Sequence, residues 1–405
     1  MPGPVMPGLA PARSSAGLTD ADDAAVGLAR LLTRGLPGRD PSTGKARCRP
    51  GQNFAAQDYL GLLRHPAVQA AACPAPGRLP DPDARAAASR RALETRLAAV
   101  LNLPHAATFA SGAEAIRQTF TAILSPDDVV LLDSAAPAAM SEAVLARRAG
   151  LHRFPSGPVG AVERRLARLA RQHRRGRLVL AVAAVSEHGS RIADLAELAM
   201  LARLHQALLI VDVSQDLGAI GPDGGGVMEV QGCLGRVDIV LGSLANCFGA
   251  EGGFAAFHDP GFGPGIRRDA RPLSAGNAGT ILAAAEVAFG VEGRRLRRNL
   301  QGVSLRLRNH LMADGARVIG GAAPLVPVLL PAKTALPRTA LLESAGPRVT
   351  LLQAPVVSFH APRWRIGLNA GHGPADIDDL ADLADLIRDV NRAFDRSPGR
   401  RRAAV

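Results

Sequence analysis

Two short stretches of the chain carry residue types that could bind an anion and a protonated ring. Ser111, Gly112 and Ala113 stand between the apolar run AATFA and a pattern of helical periodicity, so they are expected where a strand turns into a helix. Backbone N–H groups at such a helix start can bind a phosphate. Asp212 closes the apolar run ALLIV, where its carboxylate could pair with a protonated ring nitrogen. Taken singly, each residue has an ordinary alternative, as a helix cap or a strand-end carboxylate.

The pattern around these residues predicts an α/β architecture. Apolar runs alternate with segments of helical periodicity between about residues 105 and 255. Strands that alternate with helices of about 10 to 15 residues indicate a mostly parallel sheet that is buried on both faces. Strand ends and helix starts gather at one edge of such a sheet, where ligands bind. The apolar runs are AATFA, VVLLD, LVLAVAAV, ALLIVDV and VDIVLGS, and the helical segments include GAEAIRQTFTAIL, AVERRLARLARQ and LAELAMLARLH.

The sequence divides into four parts. Residues 1–54 form a leader rich in Pro, Gly, Ala and Ser, followed by a helical segment, and the leader is expected to be flexible. Residues 55–290 contain the alternating pattern of the large α/β domain. Residues 291–395, with the runs VPVLLP, VTLLQAPVVSF and RWRIGLNA, are expected to form a small α+β domain. Residues 396–405 form a basic tail that is expected to be disordered.

Composition favours a globular protein without membrane spans. Hydrophobic residues make up 47% of the chain and charged residues 21%, and no stretch approaches the run of about 20 apolar residues that a spanning helix needs. The N-terminus lacks the charged and apolar regions of a secretory signal, so a cytoplasmic location is expected. The cysteines have neither metal-site nor disulfide spacing, so no metal is expected. They are Cys48, Cys73, Cys233 and Cys247.

The net charge of +12 raises the question of a nucleic-acid partner. In two arginine-rich segments, leucines recur every three or four residues, which is typical of an amphipathic helix whose arginines face solvent. Aromatic residues make up only 3% of the chain, so stacking platforms for single strands are scarce. We therefore expect a basic surface and no nucleic-acid partner. The two segments are ERRLARLARQHRRGR (163–177) and RRLRRNL (294–300).

Four longer motifs follow one another along the chain. They are NFAAQDYLGLLRHP (53–66), TFASGAEAI (108–116), LLIVDVSQDLGAIGPDGGG (208–226) and VDIVLGSLANCFGAEGGFA (237–255), with RWRIGLNAGHGPADID (363–378) as a weaker fifth. In this order they resemble the motifs of the alpha-oxoamine synthase family, which includes 8-amino-7-oxononanoate synthase, aminoketobutyrate ligase, 5-aminolevulinate synthase and serine palmitoyltransferase. The resemblance covers most of the chain from about residue 50.

The resemblance implies a fold, a cofactor and a reaction. The fold is the pyridoxal-phosphate (PLP)-dependent transferase fold type I, a large α/β domain with a mostly parallel sheet flanked by helices, plus a small C-terminal α+β domain. The family's enzymes condense an acyl-CoA or acyl-carrier thioester with an amino acid, and fold-type-I enzymes build their sites at a dimer interface. By position, Ser111, Gly112, Ala113 and Ser243 would hold the cofactor phosphate, and Asp212 would pair with the pyridine nitrogen.

The resemblance fails at the lysine that binds the cofactor. In the motif S-L-A-N-C-F-G, the residue at the position of the Schiff-base lysine is Asn246. An amide cannot form an imine with the cofactor aldehyde. The chain contains only two lysines, Lys45 and Lys333, and neither is expected at the ring. Pyridoxal phosphate is therefore expected to bind only weakly and without a covalent link.

Four further positions depart from the family pattern. By resemblance, the ring-stacking histidine falls on Pro137, a second histidine near the phenolic oxygen on Gln215, and the arginine that binds the substrate carboxylate on Gln353. The asparagine of the first motif is replaced by Gln57. Because these losses concentrate on catalysis, no catalytic residue is expected. Three polar residues near the implied pocket are interpreted as satisfied loop or helix-cap residues: Glu187, His188 and Asp216.

Three hypotheses of function remain open. The first is a non-catalytic subunit or scaffold, as a homodimer or as a heterodimer with a lysine-bearing paralogue. The second is a working acyltransferase that holds PLP non-covalently and uses an acyl-CoA or acyl-carrier protein as donor. Its difficulty is the missing base, since the family's lysine also moves the substrate proton. The third and weakest is a basic protein associated with nucleic acid, which would bind DNA with a steep salt dependence.

Overall fold

The structure is a computed structural model that describes residues 53–73, 82–155, 157–172 and 175–396. Nearly all of the leader expected over 1–54, including Lys45, lies outside the described residues. The tail expected over 396–405 lies outside them as well, apart from its first residue. No helix in the described part of the chain combines the length and apolar composition that crossing a membrane requires.

A seven-stranded sheet in the order β1-β7-β6-β5-β4-β2-β3 forms the centre of the protein. Strand β7 is antiparallel to its neighbours β1 and β6, and the other six strands share one direction. The expected mostly parallel α/β sheet is therefore confirmed. The strands are β1 (His105–Phe109), β2 (Val129–Asp133), β3 (Gly150–Phe154), β4 (Leu178–Ala183), β5 (Ala207–Asp212), β6 (Ile239–Ser243) and β7 (Gly253–Phe257).

Helices cover both faces of this sheet. Side chains along a strand alternate between faces, and Val130 and Leu132 pack into one apolar cluster while Leu131 packs into the other. Burial on both faces explains why the central strands are continuous apolar runs. The helices are α1 (Pro66–Ala72), α2 (Pro82–Leu101), α3 (Gly112–Ile123), α4 (Ala138–Ala146), α5 (Val159–Gln172), α6 (Leu195–Leu204), α7 (Gly226–Val230), α8 (Phe262–Arg267), α9 (Ala275–Ala288) and α10 (Val291–Ala313), and a short 3-10 turn spans Leu62–Arg64.

The C-terminal part contains a second, four-stranded sheet. Its order is β10-β11-β9-β8, and all neighbouring strands are antiparallel. Two helices accompany it, as expected for a small α+β unit. The elements are β8 (Arg317–Val318), β9 (Leu325–Leu329), α11 (Ala335–Ser344), β10 (Thr350–Leu352), β11 (Arg363–Gly367) and α12 (Pro374–Arg396).

One arginine in the segment 294–300 does not face solvent, contrary to the expectation from its amphipathic pattern. Arg297 is 5% exposed. Its guanidinium donates to the carbonyl oxygens of Gly218 at 3.2 Å, Pro222 at 2.7 Å and Ala288. The turn that follows β5 and the end of α9 present carbonyl groups that need donors, and Arg297 supplies them. The expectation holds for α5, whose arginines lie outside its buried Val162, Leu166 and Leu169.

We expect Arg297→Met to lower the free energy of unfolding by about 2–4 kcal/mol, because it leaves three carbonyl oxygens without this donor. Arg298→Met, at the exposed neighbouring position, is the matched control and should change stability by less than about 0.5 kcal/mol. Urea denaturation followed by circular dichroism measures both variants. Equal losses in the two variants would contradict the role given to Arg297.

Candidate cofactor pocket

Strand ends bring the candidate ligand-binding residues to one edge of the main sheet. Asp212 is the last residue of β5 and Ser243 the last residue of β6, and the two strands are parallel neighbours. Ser111 follows β1, which is parallel to β6 because both are antiparallel to β7. Gly253, the first residue of β7, pairs with both Ser243 and Phe109. This carboxyl edge is where open α/β sheets bind ligands.

Ser111 is the N-cap of helix α3. Its hydroxyl accepts a hydrogen bond from Glu114 N at 3.2 Å, and its carbonyl oxygen accepts one from Ala115 N at 3.0 Å. The N–H groups of Gly112 and Ala113 precede this first helical bond, so the helix itself gives them no partner. Ser111 therefore caps the helix. The two N–H groups that follow are available to bind an anion at the helix start.

Gly112 lies directly against the end of β6. A Cβ atom at Gly112 would be 2.9 Å from the Cβ of Ser243 and 3.1 Å from its Cα. Glycine is therefore required for this approach of α3 to β6. The Ser243 hydroxyl accepts a hydrogen bond from Ala245 N at 3.3 Å, so the contact connects the helix start with the loop that carries Asn246.

Ser214, which none of the sequence motifs indicated as a site residue, connects the remaining pocket residues. Its N–H donates to Asp212 Oδ1 at 3.1 Å, and its hydroxyl donates to Asp212 Oδ2 at 3.1 Å. The same hydroxyl accepts from Ser243 N at 2.8 Å, and the Ser214 carbonyl oxygen accepts from Asn246 Nδ2 at 2.8 Å. A hydroxyl residue two positions after a strand-end Asp is typical of a turn that the Asp side chain caps, and this spacing is the sequence signal that could have indicated Ser214.

Asp212 is a buried carboxyl group with only partial compensation. It is 3% exposed. Burial raises its pKa to about 6, and the hydrogen bonds from Ser214 oppose that rise. A cationic ring nitrogen next to this carboxylate would favour its ionised form.

Two glutamines that depart from the family pattern bind each other. Gln215 Oε1 accepts hydrogen bonds from the Tyr59 hydroxyl and from Gln57 Nε2, the latter at 3.2 Å. Tyr59 is 1% exposed, and its burial raises the pKa of the phenol. Tyr59 N also donates to the Asn246 carbonyl oxygen at 3.2 Å. Gln57 and Tyr59, which precede the first short turn, are thus hydrogen-bonded to the pocket edge at Gln215 and Asn246.

Three residues discussed from the sequence do not join this network. Pro137 occupies the N-cap of α4, where it supplies no side-chain cap. Gln353 is exposed in the loop after β10, and its side chain makes no hydrogen bond to any residue that the structure describes. Lys333 lies on an exposed turn just before α11.

Of the three polar residues expected near the pocket, Glu187 is paired, whereas His188 Nδ1 and Asp216 Oδ1 are buried without a hydrogen-bond partner among the described residues. Glu187 pairs with Arg365 at 2.8 Å. The His188 carbonyl oxygen accepts from Arg363 Nη1 at 3.3 Å, and burial lowers the pKa of its imidazole. Asp216 Oδ2 accepts from Val227 N at 2.7 Å in the first turn of α7, and complete burial raises its pKa. Asp216 therefore binds the start of a short helix.

The pocket edge fits part of a pyridoxal-phosphate molecule. The N–H groups of Gly112 and Ala113 suit a phosphate, and the Asp212 carboxylate suits a ring nitrogen. Covalent attachment does not fit, because an amide nitrogen is not nucleophilic and Asn246 Nδ2 already donates to Ser214 O. The arrangement can hold an anionic ring compound but offers its aldehyde no amine.

The raised pKa of Asp212 predicts a pH-dependent effect of Asp212→Asn. The folded pKa of about 6 exceeds the ordinary value of 3.8, so the folded state binds more protons between these values and its stability falls as pH rises from about 4 to about 6. The variant lacks this loss. The free energy of unfolding of Asp212→Asn, measured relative to the parent, should therefore be up to about 3 kcal/mol higher at pH 7.5 than at pH 4. Urea denaturation at both pH values measures this gain.

Asp127→Asn, at an exposed position, is the control and should change stability little at either pH. The same stability difference between Asp212→Asn and the parent at pH 4 and at pH 7.5 would contradict the assignment of the titration to Asp212.

Comparison with known proteins identifies the family. The model of the family Aminotransferase class I and II matches residues 53–383. The chain is 33% identical over 371 residues to 8-amino-7-oxononanoate synthase of Anaeromyxobacter sp. (strain K), covering 86% of this chain and 89% of that protein. It is 29% identical over 339 residues to 2-amino-3-ketobutyrate coenzyme A ligase of Escherichia coli (strain K12), covering 80% of this chain and 84% of that protein.

A solved structure confirms the fold. A lysine-to-alanine variant of serine palmitoyltransferase from S. paucimobilis, with a bound PLP–myriocin aldimine, matches with a TM-score of 0.75 at 22% identity, covering 84% of this chain and 88% of that one. Its likeness supports the expected fold type I architecture. Together with the family match over residues 53–383 and the sequence relatives, these findings show that the chain belongs to the aminotransferase class I and II family and, within it, to the alpha-oxoamine synthases, a family of PLP-dependent acyltransferases.

Proposed function

We propose that this chain is a non-catalytic member of the alpha-oxoamine synthases that acts as a binding or scaffold subunit. The observation that carries the proposal is the hydrogen bond from Asn246 Nδ2 to Ser214 O at 2.8 Å. By resemblance, Asn246 stands at the position of the Schiff-base lysine, and its side chain is committed to a backbone carbonyl. An amide supplies neither the nucleophile nor the base that an amine would supply.

Mutual compensation among the unusual residues supports the proposal. Gln57 and Gln215 replace two residues of the family pattern, and Gln57 Nε2 donates a hydrogen bond to Gln215 Oε1 at 3.2 Å. Buried polar groups are costly unless they are paired. Replacements that pair with one another keep the pocket folded, although they do not support the family reaction.

The proposed cofactor state is weak, non-covalent binding of pyridoxal phosphate. Gly112 and Ala113 supply the N–H groups for a phosphate, with Ser243 beside them. Asp212 supplies the carboxylate for the ring nitrogen. When bound in this family, the cofactor acts as an electron sink. Here the residues of the chain would hold and orient it, and none of them would transfer a proton to or from it.

The proposed assembly is a dimer, formed with a second copy or with a lysine-bearing paralogue. Large apolar side chains at exposed positions support an interface: Leu63 is 54% exposed, Val356 55% and Phe359 70%. Leu63 belongs to the turn that follows Tyr59, and Val356 and Phe359 lie in the loop that carries Gln353. A paralogue in this position could bring the lysine that this chain lacks. We propose a cytoplasmic location.

The alternative is a working acyltransferase, with an acyl-CoA or acyl-carrier thioester as donor. It is favoured by the retained phosphate-binding helix start and by Asp212. It requires a proton-transfer group at the reacting atoms, and three of the polar side chains near the pocket edge already have partners. Tyr59 donates to Gln215, Asp216 accepts from Val227 N, and Glu187 pairs with Arg365.

Borohydride reduction after incubation with PLP distinguishes these two functions. We expect the native chain to give no stoichiometric pyridoxyl adduct by mass spectrometry, and no CoA release from an acyl-CoA in the presence of an amino acid. Asn246→Lys should give the adduct, because it restores an amine, but turnover should stay poor because Pro137 and Gln353 remain. Asn246→Gln is the matched control: it lengthens the side chain, adds no amine and should give no adduct.

A stoichiometric adduct on Lys45 or Lys333, together with thioester-dependent turnover, would overturn the non-catalytic function. Full activity of Asn246→Lys would show instead that the single amide accounts for the loss of activity.

A further inference from the structure

A cavity of about 770 Å³ is bounded by helix α10, helix α7, the turn that follows β5 and the loop before β9. Its apolar wall contains Ile192, Ile220, Val230, Leu300 and Pro324. Two of these side chains are open to solvent, since Ile192 is 41% exposed and Val230 is 62% exposed. The volume lies within the range of about 300–1,000 Å³ that is typical of small-molecule sites. None of the groups assigned to the candidate cofactor pocket lines this cavity.

The charged side chains that line this cavity are all cationic. Arg294, Arg297 and Arg298 contribute to the wall, and none of the described lining residues is acidic. Arg294 is already paired with Asp223 at 2.8 Å. Arg298 is exposed and forms no hydrogen bond or ion pair with any residue that the structure describes. Arg298 is therefore the guanidinium that remains available to a ligand at the solvent-facing rim.

Arg297 adds a buried positive charge without an ion pair. It is 5% exposed, and its Nε has no hydrogen-bond partner among the described residues. The carboxylates that attract it are those of Glu229 and Asp223. Glu229 accepts hydrogen bonds from two backbone N–H groups, both at 2.8 Å, and Asp223 is the partner of Arg294. A buried cation without an ion pair is costly, and an anion nearby lowers that cost.

We propose that this cavity binds a single-chain amphiphile, an aliphatic carboxylate whose tail packs against the apolar wall and whose carboxylate pairs with Arg298. This site goes beyond the proposed function and does not depend on it. A guanidinium can donate two parallel hydrogen bonds to a carboxylate, and the charge of Arg297 in the wall adds to the attraction.

Other classes of ligand match the cavity less well. A neutral apolar molecule would leave Arg298 without a partner. A small inorganic anion would leave the apolar wall in contact with water, which forfeits the larger part of the available affinity. A polyphosphate would need further unpaired cations, and Arg294 at the same wall is already paired.

Isothermal titration calorimetry of the full chain with hexanoate, octanoate and decanoate, below the concentrations at which they form micelles, tests the proposal. Affinity should rise about fourfold for each added methylene, because each one is removed from water. The uncharged probe 1-octanol should bind about tenfold more weakly than octanoate, because it lacks the charge-assisted hydrogen bonds.

Two variants at exposed positions test the two parts of the site. Arg298→Met should lower the affinity for octanoate about tenfold and leave that for 1-octanol unchanged, because only the carboxylate uses the guanidinium. Val230→Asp should also weaken octanoate binding by about tenfold, because a carboxylate at the rim repels the ligand and exposes its tail to a polar group. Thermal unfolding verifies that each variant remains folded.

Arg295→Met, at an exposed position of α10 outside the cavity, is the matched control and should leave the affinity for octanoate unchanged. No binding of any carboxylate, an affinity that does not depend on chain length, or an unchanged preference for octanoate over 1-octanol in Arg298→Met would each overturn the inference. An equal loss in Arg295→Met would overturn it as well, because the basic surface as a whole would then account for the attraction. The pyridoxyl adduct and CoA release are measured separately, so none of these results bears on the non-catalytic function.

Discussion

The hydrogen bonds of Ser214 are the interaction on which the pocket edge depends. A carboxyl group buried at a strand end is costly unless donors compensate it, and the N–H and hydroxyl of Ser214 both donate to Asp212. The hydroxyl also accepts from Ser243 N, which holds the end of β6 against the end of β5. The carbonyl oxygen fixes the amide of Asn246. One small residue thus sets the charge balance of the carboxyl group, the spacing of two strand ends and the orientation of the amide.

Much of this arrangement could be predicted from the sequence because the information was local. The central strands are continuous apolar runs, and the run VVLLD became strand β2 without any shift. Strand β3 was missed because it lies at the sheet edge, where His152 and Arg153 are exposed and leave no apolar pattern. The apolar run ALLIV predicted a strand that ends at Asp212, and β5 ends there. The motifs did not show that Gln57 and Gln215 bind each other, since that contact joins positions 158 residues apart.

The long helix α10 shows a second limit of pattern analysis. Its leucine spacing indicates an amphipathic helix, but two of its arginines, Arg297 and Arg308, are each 5% exposed. Eleven positions separate them, which is about three turns, so they lie on one side of the helix. Neither has an acidic partner among the described residues, and both donate to backbone carbonyl oxygens instead. A sequence shows where arginines are, but not which distant loops expose carbonyl groups to them.

The two buried arginines connect α10 by hydrogen bonds to the backbone that follows β5 of the main sheet and to the C-terminal sheet. Arg297 fastens the helix to Gly218 and Pro222, in the turn that continues from Asp216, while Arg308 fastens it to Leu325 at the start of β9 and to Ile319. A tilt of the C-terminal sheet must therefore carry the helix with it or break one of these sets of bonds. If it carries the helix, the displacement reaches the backbone that leaves the pocket at Gln215. The loop that carries Gln353 and the edge that carries Asn246 would then move together rather than independently.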